Sequence, residues 1–487
     1  MNISNGYIRA CLLGPKKVKS KSSSSNSSSP WKKKKLMIYA ILVIAIVAIV
    51  TSFTIIMISS NNDSNLQDTA NTNIINGNAT TSELVSDSQR QSVEKFVTQF
   101  CGSGSQANSN AYIIEYVLPE RCEMPLGIAV NANDNDNSSS NTNSGTVWYI
   151  STKNGTLGRF DIDADEFSNE LAIPSWPSKG NPISSSQVWD IEIEAINSTS
   201  DKNASNIWFT DEKQNAIWKY SNASKTFEIY YVPEKPEAFG TTYPVSLELD
   251  LANDKVYFVG IRSPSIWTGN ISEMKNGTSE GIEKINIPVD AFKDIVDPEL
   301  ISTGSIALDK KNDALWISLL AFNTKGQIFR FDLQNKTFRT YDLPSDIRSP
   351  VGLAIGYSGG INNNNNNSNE SYVWGTDHAT SIFFRLDPST GQFTKFATSQ
   401  SSPRIYNLNP NINSENTYTL PYWIKSSNSN SSSLWFNEHT GNKIAKFEPE
   451  NNTLVEYWIP TQNPLWGRCP EDNGNSSQCG IANALHF

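Results

Sequence analysis

The stretch that decides the fold is SLWFNEHTGNKIAKFEPENNTLVEYWIP, residues 433–460. It reads as an aromatic run, a Gly/Asn turn, an alternating run (KIAKFE), a second turn and a last alternating run ending on Pro460. Short runs rich in Val, Ile, Trp, Tyr and Phe between turn formers are strands. The same grammar returns along the chain. VWYISTKNGTLGRFDI starts at Val147, IWFTDEKQNAIWKYSNASKTFEIYYVP at Ile207 and VYFVGIRSPSIWTGNIS at Val256. LWISLLAFNTKGQIFRFDLQNKTFRTYDLP follows at Leu315 and VWGTDHATSIFFRLDPSTGQFTKFA at Val373. Ahead of the aromatic runs lie short apolar lead-ins: PLGIAV at Pro125, PVSLELDL at Pro244, GSIALD at Gly304 and PVGLAI at Pro350.

Four short strands recurring roughly every 40 to 60 residues predict an all-β chain folded as a β-propeller. A single blade cannot bury its own faces, so the repeated Trp is expected between blades. YIIEYVLP at Tyr112 matches an outer strand but precedes the first complete unit, and GIANALHF at Gly480 matches an inner strand with nothing after it. The favoured expectation is therefore a seven-fold ring with six complete four-stranded blades and an incomplete last one, the leading strand closing the final blade; the alternative is that six blades close and the two end pieces are decoration.

The first sixty residues obey different physics. Lys32–Lys35 precede LMIYAILVIAIVAIVTSFTIIMIS, residues 36–59, which carries no charge. A helix of that length spans the roughly 30 Å hydrocarbon core, and it is longer than a cleaved signal's apolar region of about 7–15 residues. The lysines before it place the N-terminus in the cytoplasm by the positive-inside rule. The sequence is thus divided into a basic Ser-rich cytoplasmic tail (1–35), a transmembrane signal-anchor helix (36–59), a polar stalk (60–108) and a β-propeller ectodomain (109–487). The protein is expected to be single-pass, extracytoplasmic in its main part and monomeric.

Two features fit that side of the membrane. N-x-S/T sequons follow the anchor, among them Asn78, Asn154, Asn222, Asn276, Asn335, Asn451 and Asn475, several in inter-strand turns. Four of the five cysteines, Cys101, Cys122, Cys469 and Cys479, also follow it, an even number that suits an oxidising compartment. Cys101–Cys122 with Cys469–Cys479 gives the shortest closures, and two other pairings remain open. A formal net charge of −10 excludes nucleic-acid binding, which needs clustered cations against phosphate.

Naming the strands of a blade A to D from the inside out, up-and-down topology puts the D-to-A and B-to-C loops on one face. That mouth should present Asp211, Asp377, His378, Glu438, His439, Arg262 and Lys153, with Trp189, Tyr243, Tyr422 and Trp423 from the lead-ins. Asp377-His378 and Glu438-His439 occupy equivalent places in consecutive repeats. Carboxylates beside imidazoles can hold a divalent cation, Mg²⁺ or Ca²⁺, or carry protons as general acid and base. These four are the candidate catalytic residues. Asp211, Tyr243, Arg262, Tyr422 and Trp423 are candidate ligand-binding residues, and His486 reads as structural.

WFTDEKQNAIWKY at Trp208, WFNEHTGNKIAKFEP at Trp435 and LVEYWIP at Leu454 resemble the virginiamycin B lyase (streptogramin lyase) family. The resemblance extends from about Tyr112 to the end, more loosely in the third and fourth units. It implies a seven-bladed propeller and Mg-assisted elimination that opens cyclic depsipeptides, with a histidine base from a P-H-G-I lead-in and a nearby Glu. The lead-ins here read PLGIA, PVSLE, PVGLA and LPYWI, without that histidine. The sequence therefore favours a surface module that binds a small-molecule, glycan or protein ligand at the propeller mouth. The alternative is a metal-assisted lyase or a lactonase using Asp377, His378, Glu438 and His439.

Overall fold

In the computed structural model the described residues lie between 107 and 477. Loop stretches 133–144, 177–187, 196–204, 234–242, 289–300, 358–370, 400–417, 427–432 and 461–468 are outside them, as are shorter gaps that include Lys153, Arg262 and Thr440. The expected tail and anchor, nearly all of the stalk and the trailing GIANALHF also fall outside, as do the side chains of the cysteines. Among the described residues no helix is long and apolar enough to cross a membrane.

Those residues form six antiparallel blades. Blade 1 holds β1 (Pro125–Ala132), β2 (Gly145–Ser151), β3 (Thr156–Asp161) and the two short pieces β4 (Glu166–Phe167) and β5 (Leu171–Ala172). Blade 2 holds β6 (Ile191–Ala195), β7 (Ser205–Asp211), β8 (Ala216–Ser221) and β9 (Thr226–Tyr231). Blade 3 holds β10 (Pro244–Asp250), β11 (Lys255–Gly260), β12 (Ser263–Asn270) and β13 (Ile282–Asn286). Blade 4 holds β14 (Ile301–Asp309), β15 (Ala314–Ala321), β16 (Gln327–Asp332) and β17 (Phe338–Asp342). Blade 5 holds β18 (Pro350–Tyr357), β19 (Ser371–Asp377), β20 (Ile382–Leu386) and β21 (Phe393–Ala397). Blade 6 holds β22 (Pro421–Ser426), β23 (Leu434–Glu438), β24 (Lys443–Glu448) and β25 (Thr453–Trp458). The inner strands pack in the succession β1, β6, β10, β14, β18, β22. The seventh blade expected from the sequence does not appear among the described residues, whose repeats are all used by six.

The repeated tryptophans sit where the sequence places them. Trp148 of blade 1 clusters with Ile191, Ile207 and Trp218 of blade 2. Trp208 packs with Leu247 and Phe258 of blade 3, Trp316 with Leu353 and Val373 of blade 5, and Trp374 with Ile424 and Phe436 of blade 6. Trp208, Trp316 and Trp374 are fully buried. Burying such a ring contributes several kcal/mol at about 25 cal/mol per Å² of apolar surface.

The turn letters of the repeat have a backbone cause. Gly155, Asn215 and Asn442 follow strand B and take a left-handed conformation, with φ of 66°, 51° and 55°. That region costs Gly nothing and Asn little. It aims their carbonyls at the end of strand D, where they accept N–H groups from Ile173, Val232 and Ile459 at 2.8, 2.9 and 3.0 Å. Each donor is the residue before the proline that ends the blade, Pro174, Pro233 or Pro460.

A second device holds the inner strands. The pairing of strands A and B slips register at Pro125/Ile128, Pro244/Ser246, Thr303/Ile306, Pro350/Leu353 and Pro421/Ile424. Such a bulge leaves backbone N–H groups without a ladder partner. Strand B supplies one from its penultimate region. Ser318 Oγ accepts Ser305 N–H at 2.8 Å, Thr376 Oγ1 accepts Gly352 N–H at 3.1 Å and Asn437 Oδ1 accepts Trp423 N–H at 2.9 Å. In blade 2, whose A–B pairing keeps its register, Thr210 Oγ1 accepts the N–H groups of Trp189 and Asp190 ahead of the strand at 3.2 and 3.1 Å.

The leading segment departs from expectation. It makes an isolated bridge, Ser109 to Ile114, rather than a ladder with β25. Its side chains instead join the first and last blades. Asn110 Nδ2 donates to the Trp458 carbonyl at 2.9 Å, Tyr112 meets the Tyr457 ring at 6.0 Å, and Tyr116 meets the Phe160 ring of blade 1 at 4.7 Å. Asn110 Oδ1 takes the N–H groups of Tyr112 and Ile113, and that turn diverts the backbone from an extended pairing.

Thr376→Val keeps the shape of a fully buried side chain but removes the acceptor for Gly352 and the donor to the Tyr422 carbonyl. The expected cost is about 2 kcal/mol of unfolding free energy in urea. Thr394→Val, on an exposed position of β21, should change it by less than about 0.5 kcal/mol.

Candidate functional site

Equivalent strand ends place the mouth residues. Ile261, His378 and His439 each come directly after strand B. Their N–H groups donate to the carbonyls of Tyr243, Ser349 and Leu420 at 3.0, 2.9 and 3.0 Å. Those acceptors immediately precede Pro244, Pro350 and Pro421, so the lead-in and the B-to-C loop are sewn together. Tyr243 sits at φ 48°, and its own N–H reaches Asn215 Oδ1 at 3.1 Å.

Because His378 and His439 hold the same place in adjacent blades, their half-buried imidazoles meet. His378 Nε2 lies 2.9 Å from His439 Nδ1. The rings are 13° from parallel with centroids 5.2 Å apart, which puts the two nitrogens close to the line joining the rings. This is a head-on N–H···N hydrogen bond. Tyr422 covers the pair, its ring 4.5 Å from that of His378 and 5.9 Å from that of His439, and Trp423 follows at 5.6 Å. Burial and the neighbouring His439 hold the His378 imidazole well below its usual pKa. Burial, reinforced by the charge of Glu212, raises the Tyr422 phenol.

The alternation of a strand turns the preceding acids the other way. Asp377 is fully buried and its carboxylate accepts the N–H of Ser349 at 2.7 Å, the N–H of Arg348 at 3.2 Å and the Thr380 hydroxyl at 2.8 Å. Burial pushes its pKa up while those donors pull it down. Asp211 is equally buried, accepting Gln214 N–H at 3.0 Å and the Trp218 indole at 2.9 Å. Glu438 is buried as well, and a Cβ on Gly441 would stand 2.6 Å from its Oε2. Lys443 Nζ is 3.0 Å from that oxygen but directs its hydrogen bonds to Ser399 and, at 2.6 Å, to Glu456. Burial pushes Glu438 up to about 9, with Glu456 adding to the shift.

The structure therefore brings His378, His439, Tyr422 and Trp423 together, sets Asp377 and Glu438 behind the histidines, and holds Asp211 and Tyr243 in the loop framework. Arg262 and Lys153 lie outside the described residues. Trp189 stands at the same mouth with a residue the sequence reading did not single out: its indole donates to Glu212 Oε2 at 2.7 Å. Trp189, Ile261, Leu320 and Tyr422 pack on buried Val245, Val351 and Trp423, one apolar cluster drawn from blades 2 to 6.

Farther along the inner strands lies a charged set that was also missed. Lys425 of blade 6 reaches Glu192 at 2.6 Å and Asp190 at 3.5 Å, both in or beside the inner strand of blade 2. Asp190 also binds the Ser246 hydroxyl and Leu247 N–H of blade 3, both at 3.0 Å. Glu248 is pushed up to about 8, first by burial and then by Glu192. The available signal was the alternation DIEIE and the Lys in YWIKS, where other inner strands carry Ala129, Ala307 or Ala354. Among the described residues no three His, Cys, Asp or Glu side chains converge as metal ligands. A cavity of about 60 Å³ beside blade 3, lined by Lys255, Thr268, Asn270, Glu273, Gly281 and Glu283, is far below the roughly 300 Å³ of a ligand pocket.

Six stacked four-stranded blades around a charged channel, with an aromatic and imidazole-lined mouth, define a β-propeller. The comparisons with known proteins stop at that class. No family model matches the chain, and no curated protein matches it by sequence. Solved structures similar to it include the hydrazine synthase of Kuenenia stuttgartiensis, at 9% identity over 69% of this chain and 80% of that one, TM-score 0.43. A nidogen/laminin complex aligns at 11% identity over 65% and 93%, TM-score 0.39. A luciferin-regenerating enzyme aligns at 13% identity over 58% and 91%, TM-score 0.35. Likenesses this remote carry no argument about activity. The streptogramin lyase resemblance has no family match behind it.

Lys443→Met strips the buried ammonium from between buried Glu438 and partly buried Glu456 and should cost about 3 kcal/mol in urea unfolding. Glu438→Gln should stay within about 1 kcal/mol at pH 7, since a carboxyl with its pKa near 9 is already uncharged there. Its folded pKa lies above the ordinary 4.5, so its stabilisation is complete below 4.5 and is lost as pH rises towards 9. Glu438→Gln should remove that alkaline loss. An equal destabilisation by both variants at pH 7 would mean that Glu438 is ionised.

Proposed function

We propose that the protein is a membrane-anchored, extracytoplasmic propeller whose mouth binds a small-molecule, glycan or protein ligand. The observation that carries this reading is the meeting of His378, His439 and Tyr422 from neighbouring blades. An aromatic face beside imidazoles suits a ring-bearing polar ligand such as a glycan, which stacks on the ring and exchanges hydrogen bonds with the nitrogens. Asp377 fixes the lead-in of blade 5 through Arg348 and Ser349, Asn215 holds Tyr243, and Trp189 with its partner Glu212 packs in the same apolar cluster as Tyr422.

The membrane part of the reading rests on the uncharged run 36–59 behind four lysines. The sequons at Asn276, Asn335 and Asn451 stand on exposed positions, which suits glycosylation outside the cell. The cysteine count agrees with an oxidising compartment.

A second reading is a lyase or lactonase. Its support is the state of His378: an imidazole kept neutral by burial is in the form of a general base at neutral pH. The streptogramin lyase resemblance then suggests C–O elimination in a cyclic ester, with Mg²⁺ or Ca²⁺ as the cofactor. It ranks second because no three ligating side chains converge among the described residues.

The test uses the full chain in detergent on a glycan array, with a cyclic depsipeptide and a δ-lactone assayed by mass spectrometry. Saturable glycan binding that falls at least about tenfold in Tyr422→Ala supports the first reading, a change of about 1.4 kcal/mol. Ring opening abolished by His378→Gln supports the second. Neither binding nor turnover would sink the mouth as a site for these ligands. Expressed in a eukaryotic cell, the chain should lose mass on endoglycosidase treatment, and Asn276→Gln should lose less.

A further inference from the structure

Five of the six junctions between blades are packed alike, and the junction of blades 6 and 1 is not. The strand-B residue that faces the preceding blade is buried at Ile207, Val256, Leu315, Val373 and Leu434. Its counterpart in blade 1, Val147, is only half-buried. The inner-strand residues paired with that position differ more sharply. Leu249, Leu308 and Ile355 are at most 9% exposed and Ile193 is half-buried, whereas Val130 of blade 1 is 58% exposed. On the opposite face, Trp148, Trp208, Tyr257, Trp316 and Trp374 are buried towards the following blade, and the equivalent Trp435 of blade 6 is half-buried. Trp148 and Trp374 follow longer A-to-B loops than Trp435 does, so the loops do not account for the difference. Among the described residues no apolar cluster joins blade 6 to blade 1. The leading segment bridges them through Tyr112 on Tyr457 and Tyr116 on Phe160, and Val130 stays exposed all the same.

The chain carries a segment that fits this junction. Inner strands here contain Gly127-Ile128-Ala129, Gly352-Leu353-Ala354 or the related Ser305-Ile306-Ala307. Each letter has a cause. The branched residue faces the preceding blade, as Leu353 does in packing with Trp316. The alanine stands opposite the inter-blade tryptophan, in the pairs Ala129–Trp148, Ala307–Trp316 and Ala354–Trp374, and leaves room for the indole. The glycine lets the next inner strand approach closely. A Cβ on Gly352 would stand 2.5 Å from the Tyr422 carbonyl oxygen, and one on Gly127 3.2 Å from the Ile191 side chain. The signature therefore marks an inner strand with another inner strand packed against it. It occurs once more, as Gly480-Ile481-Ala482 in GIANALHF. About 20 residues separate Trp458 from Gly480, a connection like that between β21 and β22. At about 3.3 Å per residue it covers the ~15 Å from the outer to the inner strand of a blade several times over.

We propose that residues 480–487 enter the junction of blades 6 and 1 as a single inner strand. Strand alternation then sets Ile481 and Leu485 towards Trp435 of blade 6, and the small Ala482 and Ala484 towards Ile128 and Val130 of blade 1. The segment supplies one strand rather than a seventh blade, and it covers the apolar surface that the other five junctions bury without help. The leading segment and this strand thus close the ring from its outer and inner sides. The proposal does not depend on what the mouth binds.

The test uses the full chain in detergent carrying Val130→Cys, alkylated at neutral pH and read at residue 130 by peptide mapping. With 480–487 in place, labelling should be at least about tenfold slower than in the same chain lacking those residues, a difference of about 1.4 kcal/mol in protection. Ile481→Asp combined with Leu485→Asp should speed labelling as the deletion does. A synthetic GIANALHF peptide added to the shortened chain should slow it again. Thr394→Cys, on an exposed position of β21, should label at one rate in every form. Equally fast labelling of residue 130 in all forms overturns the proposal. Slow labelling that survives the deletion also overturns it, and light scattering then tells whether a second copy of the chain is the cover. Hydrogen exchange of the unaltered chain needs no variant to fold. The amides of 481–487 should exchange at least about a hundredfold more slowly than in the free peptide, and exchange at the free rate refutes the inserted strand.

Discussion

The entry of each inner strand into the ring is the constraint on which the rest depends. In five blades the strand slips register as it starts, and its displaced N–H groups would be buried without partners. Ser318, Thr376 and Asn437 answer that need in blades 4, 5 and 6 from within strand B. In blades 5 and 6, where Thr376 and Asn437 are penultimate, the next residue closes the strand buried and the one after that borders the mouth. The position of His378 and His439 is thus decided two residues upstream, by a threonine and an asparagine that touch neither.

Much of the architecture was legible because it follows from period and turn chemistry. The aromatic runs recur in all six blades, and the Asn or Gly before strand C with the proline after strand D answers one local requirement in blades 1, 2 and 6. The site was legible only in part. Asp377-His378 and Glu438-His439 look alike as pairs of polar letters, yet one member of each is buried and the other borders the mouth. That division depends on where the strand ends, and a shift of one residue would exchange the roles. The register slip is invisible in sequence, so the acids could not be assigned to the turn in advance. The same holds for Glu212, whose importance comes from Trp189 and Tyr422, distant in sequence and drawn from other loops.

The channel shows a different economy. Asp190, Glu192 and Glu248 bring three acids to neighbouring inner strands, and Lys425 answers them from another blade. Its ammonium is held above its usual pKa by Asp190, Glu192 and Glu248, against the pull of desolvation. Charge among the inner strands is thus answered partly within the chain, while the mouth is built of aromatic rings and imidazoles. The two regions share inner strands but differ in what they can recognise.

The segment from Asn110 to Tyr116 touches both the last blade and the first. A closed ring distributes a load around its circumference, but a load must enter somewhere. Here tension on the chain upstream of Asn110 arrives at the junction of blades 6 and 1, through one side-chain amide and a few ring contacts. A pull from that side is thus felt first where the last and first blades meet, ahead of any strand ladder.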